Sequence, residues 1–192
     1  MANVEHSTLT DPALHEPKGV AAAGSGQVYV ANGSGSGVWQ PIHRHLGVTT
    51  SFNKSSPYAY SLDTDISEKL LNFSPSTSDT ITSGFSVITS PTLRFRYDDS
   101  TTLTGLINVT MSSSQSTGPT KDVEWALFKN GLEIAGSRSI RSISTGTWGS
   151  ISVTGLTELV QNDSITIGTK ANADDVVVNY ANIYVSIIGM SA

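Results

Sequence analysis

From about Thr49 to Met190 the chain alternates apolar and polar residues over short runs, the period-two pattern of strands with one buried face. The clearest runs lie in the C-terminal third. Val123, Trp125 and Leu127 alternate with Glu124 and Ala126. Asn130-Gly131 follows, a dipeptide suited to a type I′ hairpin turn, which needs positive φ at both central residues. Leu132 and Ile134 resume beyond it. Then come Ile151/Val153, Asn162-Asp163, Ile165/Ile167, Asp174-Asp175, and a closing strand with Ile183, Val185 and Ile187 on one face. Earlier, Leu93, Phe95 and Tyr97 alternate with Arg94 and Arg96 before Asp98-Asp99, and Leu103, Ile107, Val109 and Met111 share a face. Tyr58–Leu62 reads as a strand, Ile66–Asn72 as a helical turn or strand, Ser112–Thr120 as a loop, and Leu156–Val160 as one helical turn. About eight to ten strands with closely spaced turn signals, and no helix of ordinary length, predict an all-β antiparallel sandwich or jelly roll.

Residues 1–47 follow another pattern. They hold Pro12, Pro17, Pro41 and the run Gly33-Ser34-Gly35-Ser36-Gly37. Gln27–Ala31 predicts a strand ending at Asn32-Gly33, onto which Val38-Trp39-Gln40 pairs back. A lone hairpin is marginal in water. This stretch therefore reads as an extended arm whose Tyr29 and Trp39 need a partner surface, with the ordering entropy met on docking. The expected organisation is an arm over 1–47 and a β domain over 48–192.

Composition narrows the function. The chain has 192 residues, 11 basic and 16 acidic, for a net charge of −5. That balance argues against nucleic acid or an anionic membrane as partner. Only 14% of residues are charged, against ~25% in ordinary soluble domains; Ser, Thr, Gly and Asn fill the difference, as suits strands that meet copies of themselves. There is no cysteine, which excludes disulfides, Cys-ligated zinc and a thiol nucleophile. The first twenty residues carry Glu5, Asp11, Glu16 and two prolines without an apolar core, so no secretory signal is expected. No run approaches the ~20 apolar residues of a membrane span. A chain made in its producer's cytoplasm is the expectation.

Candidate chemistry is sparse. No nucleophile elbow, phosphate loop or dinucleotide fingerprint occurs. All four histidines fall within residues 1–45, outside the expected scaffold, so no catalytic residues and no cofactor are assigned. His43-Arg44-His45 places two imidazoles on one side of an extended strand. Three chains about an axis would present six to one transition metal, but a solvated linker is the plainer reading and no metal is assigned. His15-Glu16-Pro17-Lys18-Gly19 reads as a turn with polar groups free for a partner. Arg94, Arg96, Arg138 and Arg141 suit ion pairs or an anion or glycan site; Asp98-Asp99 and Asp174-Asp175 suit turns better than Ca²⁺. Strict alternation puts Tyr180 and Tyr184 opposite Ile183, Val185 and Ile187, where they are candidates for a subunit interface.

Two segments resemble known proteins. Residues 123–190 are similar to the C-terminal half of a TNF/C1q-type jelly roll as found in bacteriophage virion proteins. They share its L-x-K-N-G hairpin (Leu127–Gly131), its arginine-bearing strand (Arg138, Arg141) and its turn-and-strand at Leu159–Ile165. Asn162 stands where that family often has Gly, and Asn tolerates the left-handed region. Residues 9–42 resemble an opening segment of tailed-phage structural proteins, in which D-P-x-L-H-E-P-K-G precedes a GQVYVANG-x-G-x-W hairpin. The resemblance implies a homotrimer about a threefold axis, with a TNF/C1q-like jelly roll pointing outward and an arm that attaches to the virion. Docking residues would be Leu14, His15, Glu16, Pro17, Lys18, Tyr29 and Trp39. The expectation is a non-enzymatic capsid decoration or cement protein on the capsid exterior, partnered by the major capsid protein. The alternative is a short tail fibre or receptor-binding tip, attached to a tail component and holding a host glycan in loops such as Ser112–Thr120. The absence of a long shaft or heptad run favours the capsid.

Overall fold

The structure, a computed structural model, describes residues 23–24, 27–31, 37–41, 45–64, 81–89 and 92–191. Its strands are β1 (Gln27–Ala31), β2 (Gly37–Pro41), β3 (His45–Leu62), β4 (Ile81–Ser83), β5 (Phe85–Ile88), β6 (Arg94–Tyr97), β7 (Leu103–Gln115), β8 (Lys121–Lys129), β9 (Leu132–Glu133), β10 (Ser139–Ile143), β11 (Gly149–Leu159), β12 (Ser164–Ala171) and β13 (Val176–Ser191). No described residue is helical.

The chain divides into two units, Met1–His43 and Arg44–Ala192. In the first, β1 and β2 pair antiparallel with Tyr29 opposite Trp39, their rings edge-on at 5.3 Å. The boundary lies ahead of the expected 47/48 because β3 already begins at His45, opposite Met190.

In the second unit the inward positions of two antiparallel sheets meet. One sheet has the order β11-β7-β13-β3-β4; the other runs β10-β8-β12-β6-β5, with β9 paired to β8. The last strand lies between β3 and β7, while the consecutive β7 and β8 belong to different sheets. This interleaving is the jelly-roll wiring, and it makes most pairings non-local, the β5–β6 and β8–β9 hairpins apart. Trp125, Leu127, Phe95, Tyr97 and Ile165 from one sheet, with Leu93 just ahead of β6, pack against Phe52, Leu62, Ile107, Met111, Val178 and Val185 from the other, all buried. Each large side chain removed from water contributes about 1.5–3 kcal/mol.

The turns obey the rules the sequence follows. Asn130 and Gly131 have φ of 49° and 82°, and Asn162 has φ of 73°, so both carry the left-handed conformation that a type I′ turn and a tight strand entry require.

Three expectations change. Leu156–Val160 is not a helical turn: β11 continues through Leu159, held by an unbroken ladder to β7 from Gly149↔Ser113 to Leu159↔Leu103. Long-range pairing overrides the local pattern there. The loop expected at Ser112–Thr120 is shorter, since β7 runs to Gln115. Finally, Tyr180, expected on the outward face, is buried in the core. The registers of β13 with β3 and β7 both shift just after Tyr180. Against β7, Ala181 and Asn182 face the single Ser112, whereas against β3 the single Ala181 faces residues 54–57; the extra residue relative to β7 exchanges the two faces of β13. Before it Val176, Val178 and Tyr180 are buried; after it Ile183, Val185 and Ile187 are. Ile66–Asn72 lies outside the described residues.

Candidate interaction surface

The bulge fixes what lies on the outward face of the five-stranded sheet. Registers place Leu156 beside Leu106, Leu106 beside Ile188, and Ile188 beside Gly47. This row of three exposed aliphatic side chains crosses three adjacent strands. Met190 is exposed two residues further along β13, and Tyr184 is exposed in the opposite direction. Between Leu106 and the far end of β7 the face is polar but uncharged. Thr110 and Ser152 share a hydroxyl hydrogen bond at 3.0 Å, and the Thr154 hydroxyl donates to Asn108 Oδ1 at 3.3 Å. Trp148, just before β11, is exposed at that end. Across the rows from Glu158/Thr104/Met190 to Ser152/Thr110/Tyr184, Glu158 is the sole carboxylate among the described residues.

Leu156 also forms a wall of a shallow pocket of about 350 Å³ at the β11 edge, where Leu132, Ile134 and Ala135 stand beside Lys129, Asn130 and Glu133. Both ends of the free edge of β11 are covered. Arg141 Nη1 donates to the Ser150 carbonyl at 2.5 Å, and Lys129 Nζ to the Glu158 carbonyl at 2.7 Å. Blunting an edge in this way discourages indiscriminate strand pairing.

The outward face of the six-stranded sheet is built differently. Arg138 bridges Glu124 (2.7 Å) and Glu133 (2.5 Å), and Lys170 approaches Glu124 at 3.5 Å. The Arg138 hydrogen bond holds the Glu133 carboxyl below its ordinary range, and its acidic partners raise Arg138 in turn. Arg96 Nε pairs with Asp98 at 2.6 Å, and the Ser86 hydroxyl donates to the same carboxylate. Burial pushes Asp98 up, but these two donors outweigh it and keep its carboxyl low.

The site residues expected from the sequence fare unequally. Leu14, His15, Glu16, Pro17, Lys18 and His43 lie outside the described residues. Tyr29 and Trp39 are brought together across the β1–β2 hairpin. His45 is exposed at the start of β3. Tyr184 is 46% exposed on the uncharged face, whereas Tyr180 is 0% exposed. Trp125 Nε1 donates to the Tyr180 hydroxyl at 3.2 Å, and Thr169 Oγ1 lies 3.3 Å from it; burial pushes that phenol up to about 12. Arg96 and Arg138 are engaged by carboxylates of their own chain and Arg141 by the Ser150 carbonyl, while the buried Arg94 Nε has no hydrogen-bond partner among the described residues. Asp99 Oδ1 accepts from the Thr101 N–H and hydroxyl, a local turn-making contact, whereas Asp174 Oδ1 accepts from those of Thr64 and ties its turn to the end of β3. Among the described residues no three His, Asp or Glu side chains group as metal ligands would. Leu106, Leu156, Ile188 and Met190 were missed by the alternation rule. The available signal was apolar residues at both parities, as in Ile187-Ile188 and Leu106-Ile107.

Two sheets of this order, closed by pairing the first and last strands of the domain, define a jelly-roll sandwich of the TNF type. A structure of Eiger TNF from S. frugiperda is similar with a TM-score of 0.51 at 13% identity, over 76% of this chain and 92% of that one. A crystal structure of murine APRIL at pH 5.0 aligns at 15% identity over 74% of this chain and 98% of that one, with a TM-score of 0.40. No family model matches the chain, and no curated protein matches it. At these identities the likeness establishes the fold alone.

Proposed function

We propose that this chain is a non-enzymatic structural protein of bacteriophage virions. In this reading it is a homotrimeric decoration or cement protein on the capsid exterior, docked to the major capsid protein by its N-terminal arm. The virion assignment rests on the sequence resemblances of residues 9–42 and 123–190. The trimer rests on one observation above all, the in-register row Leu156–Leu106–Ile188 on an almost uncharged sheet face. Copies carrying a net charge of −5 repel, so they approach most readily through a face without like charges.

Light scattering on the eluted full-length chain tests the trimer; a stable folded monomer refutes it. Particle binding by a chain lacking residues 1–43 tests the arm, and undiminished binding refutes docking through it. Copy number on purified particles separates capsid from tail: hundreds of copies support the capsid, and a few multiples of three would place the protein on the tail.

A further inference from the structure

Asn followed by Gly is the pairing most open to attack on the side-chain amide by the next backbone nitrogen, because glycine has no Cβ to crowd the approach. In this fold the Asn130 carboxamide is held at both ends. Its Nδ2 donates to Asp163 Oδ1 at 2.6 Å, and its Oδ1 accepts from the Ser164 N–H at 2.8 Å. The Asn130 N–H donates to the Ser164 carbonyl at 3.0 Å. Asp163 is anchored in turn by the Val160 N–H at 2.9 Å and Lys129 Nζ at 3.0 Å, and is only 7% exposed. This tie joins the β8–β9 turn to the start of β12 and serves no step of the proposed function.

We propose that Asn130 is a self-modification site, a deamidation centre that the Asp163 clamp holds closed. When the clamp opens, the Gly131 nitrogen attacks Asn130 Cγ and the Cγ–Nδ2 bond breaks. The Gly131 amide proton leaves with the side-chain nitrogen as ammonia, forming a five-membered succinimide. Water then opens the ring at either carbonyl, giving aspartate or isoaspartate. No oxidant or reductant takes part. Pinning both Nδ2 and Oδ1 prevents Cγ from turning towards the attacking nitrogen, so the reaction waits on local opening of the hairpin. The aspartate product sets a second carboxylate where a donor met Asp163, and like charges at that distance resist joint ionisation. The modification would therefore loosen the turn that bears Leu132.

The test follows the tryptic peptide Asn130–Arg138 by mass spectrometry during incubation of the full chain at mildly alkaline pH. Folded wild type should deamidate at least about tenfold more slowly than the same chain in urea. Asp163→Asn, shown to be folded by circular dichroism, should move towards the urea rate. Should that variant fail to fold, Asp163→Ser, which keeps a hydroxyl acceptor for the Val160 N–H, takes its place. Equal folded and unfolded wild-type rates, or a folded Asp163 variant as slow as wild type, would overturn the proposal. Asn130→Asp mimics the product. It should melt below wild type at neutral pH and recover on acidification as the carboxylate pair takes up a proton; melting at the wild-type temperature throughout would also overturn it.

Discussion

The two outward faces of the jelly roll use their exposed residues in opposite ways. The six-stranded sheet turns out a charged surface whose members are paired within the chain, Arg138 with Glu124 and Glu133, Arg96 with Asp98. The five-stranded sheet turns out Ser, Thr and Asn around Leu106, Leu156 and Ile188. A charged face in water is already satisfied, and covering it means desolvating ions. The aliphatic row gains free energy when covered, at about 25 cal/mol per Å². Under the proposed assembly, the five-stranded sheet is the side on which a copy is expected.

The largest effect should come from the residue that the bulge moves between faces. Tyr180→Ala empties the centre of the core and removes the partner of Trp125, costing about 3–5 kcal/mol by analogy with other buried aromatics; Tyr184→Ala, four residues on and exposed, should cost far less. Denaturant unfolding of both checks the parity switch. Next comes assembly. Ile188→Asp should convert the oligomer to a folded monomer in light scattering, whereas Ile140→Asp, on the charged face, should not. If both variants dissociate, or neither does, the contrast between the faces fails.

A smaller effect is expected from the ion pairs. Arg138→Ala should cost about 1 kcal/mol or less, because the pairs are partly exposed, and should leave the oligomer intact. The same residue governs acid behaviour. Glu133 has a folded pKa below its unfolded one, so it contributes stability that is present above the ordinary carboxylate pKa, around 4. That contribution is lost as pH falls through the depressed value. Thermal melts across acidic pH should show a shallower decline for Arg138→Ala than for wild type. The smallest expected change is with salt. Raising ionic strength should trim the Arg138 contribution by a few tenths of a kcal/mol while leaving the mass of the oligomer unchanged.

Much of this architecture is legible in the chain. Val123/Trp125/Leu127 and Leu93/Phe95/Tyr97 announce their buried faces through strict alternation, and both become core. Asn130-Gly131 announces its turn because few residue pairs tolerate two positive φ angles. The β1–β2 pairing is equally local, with Tyr29 opposite Trp39. Leu156–Val160 was misleading because five residues cannot report a ladder partner some fifty positions away. Parity gives the outward side of Tyr184 but not the burial of Tyr180, which lies before the bulge.

Local residue order therefore settles the all-β class, the turn positions and most inward residues, since sterics and period-two burial act between near neighbours. The pairing of β13 with both β3 and β7, the bulge after Tyr180, and the row joining Leu156, Leu106 and Ile188 exist only once distant strands meet. Register is a relation between strands, fixed by the packing of whole faces, and a one-residue slip in it exchanges core for surface.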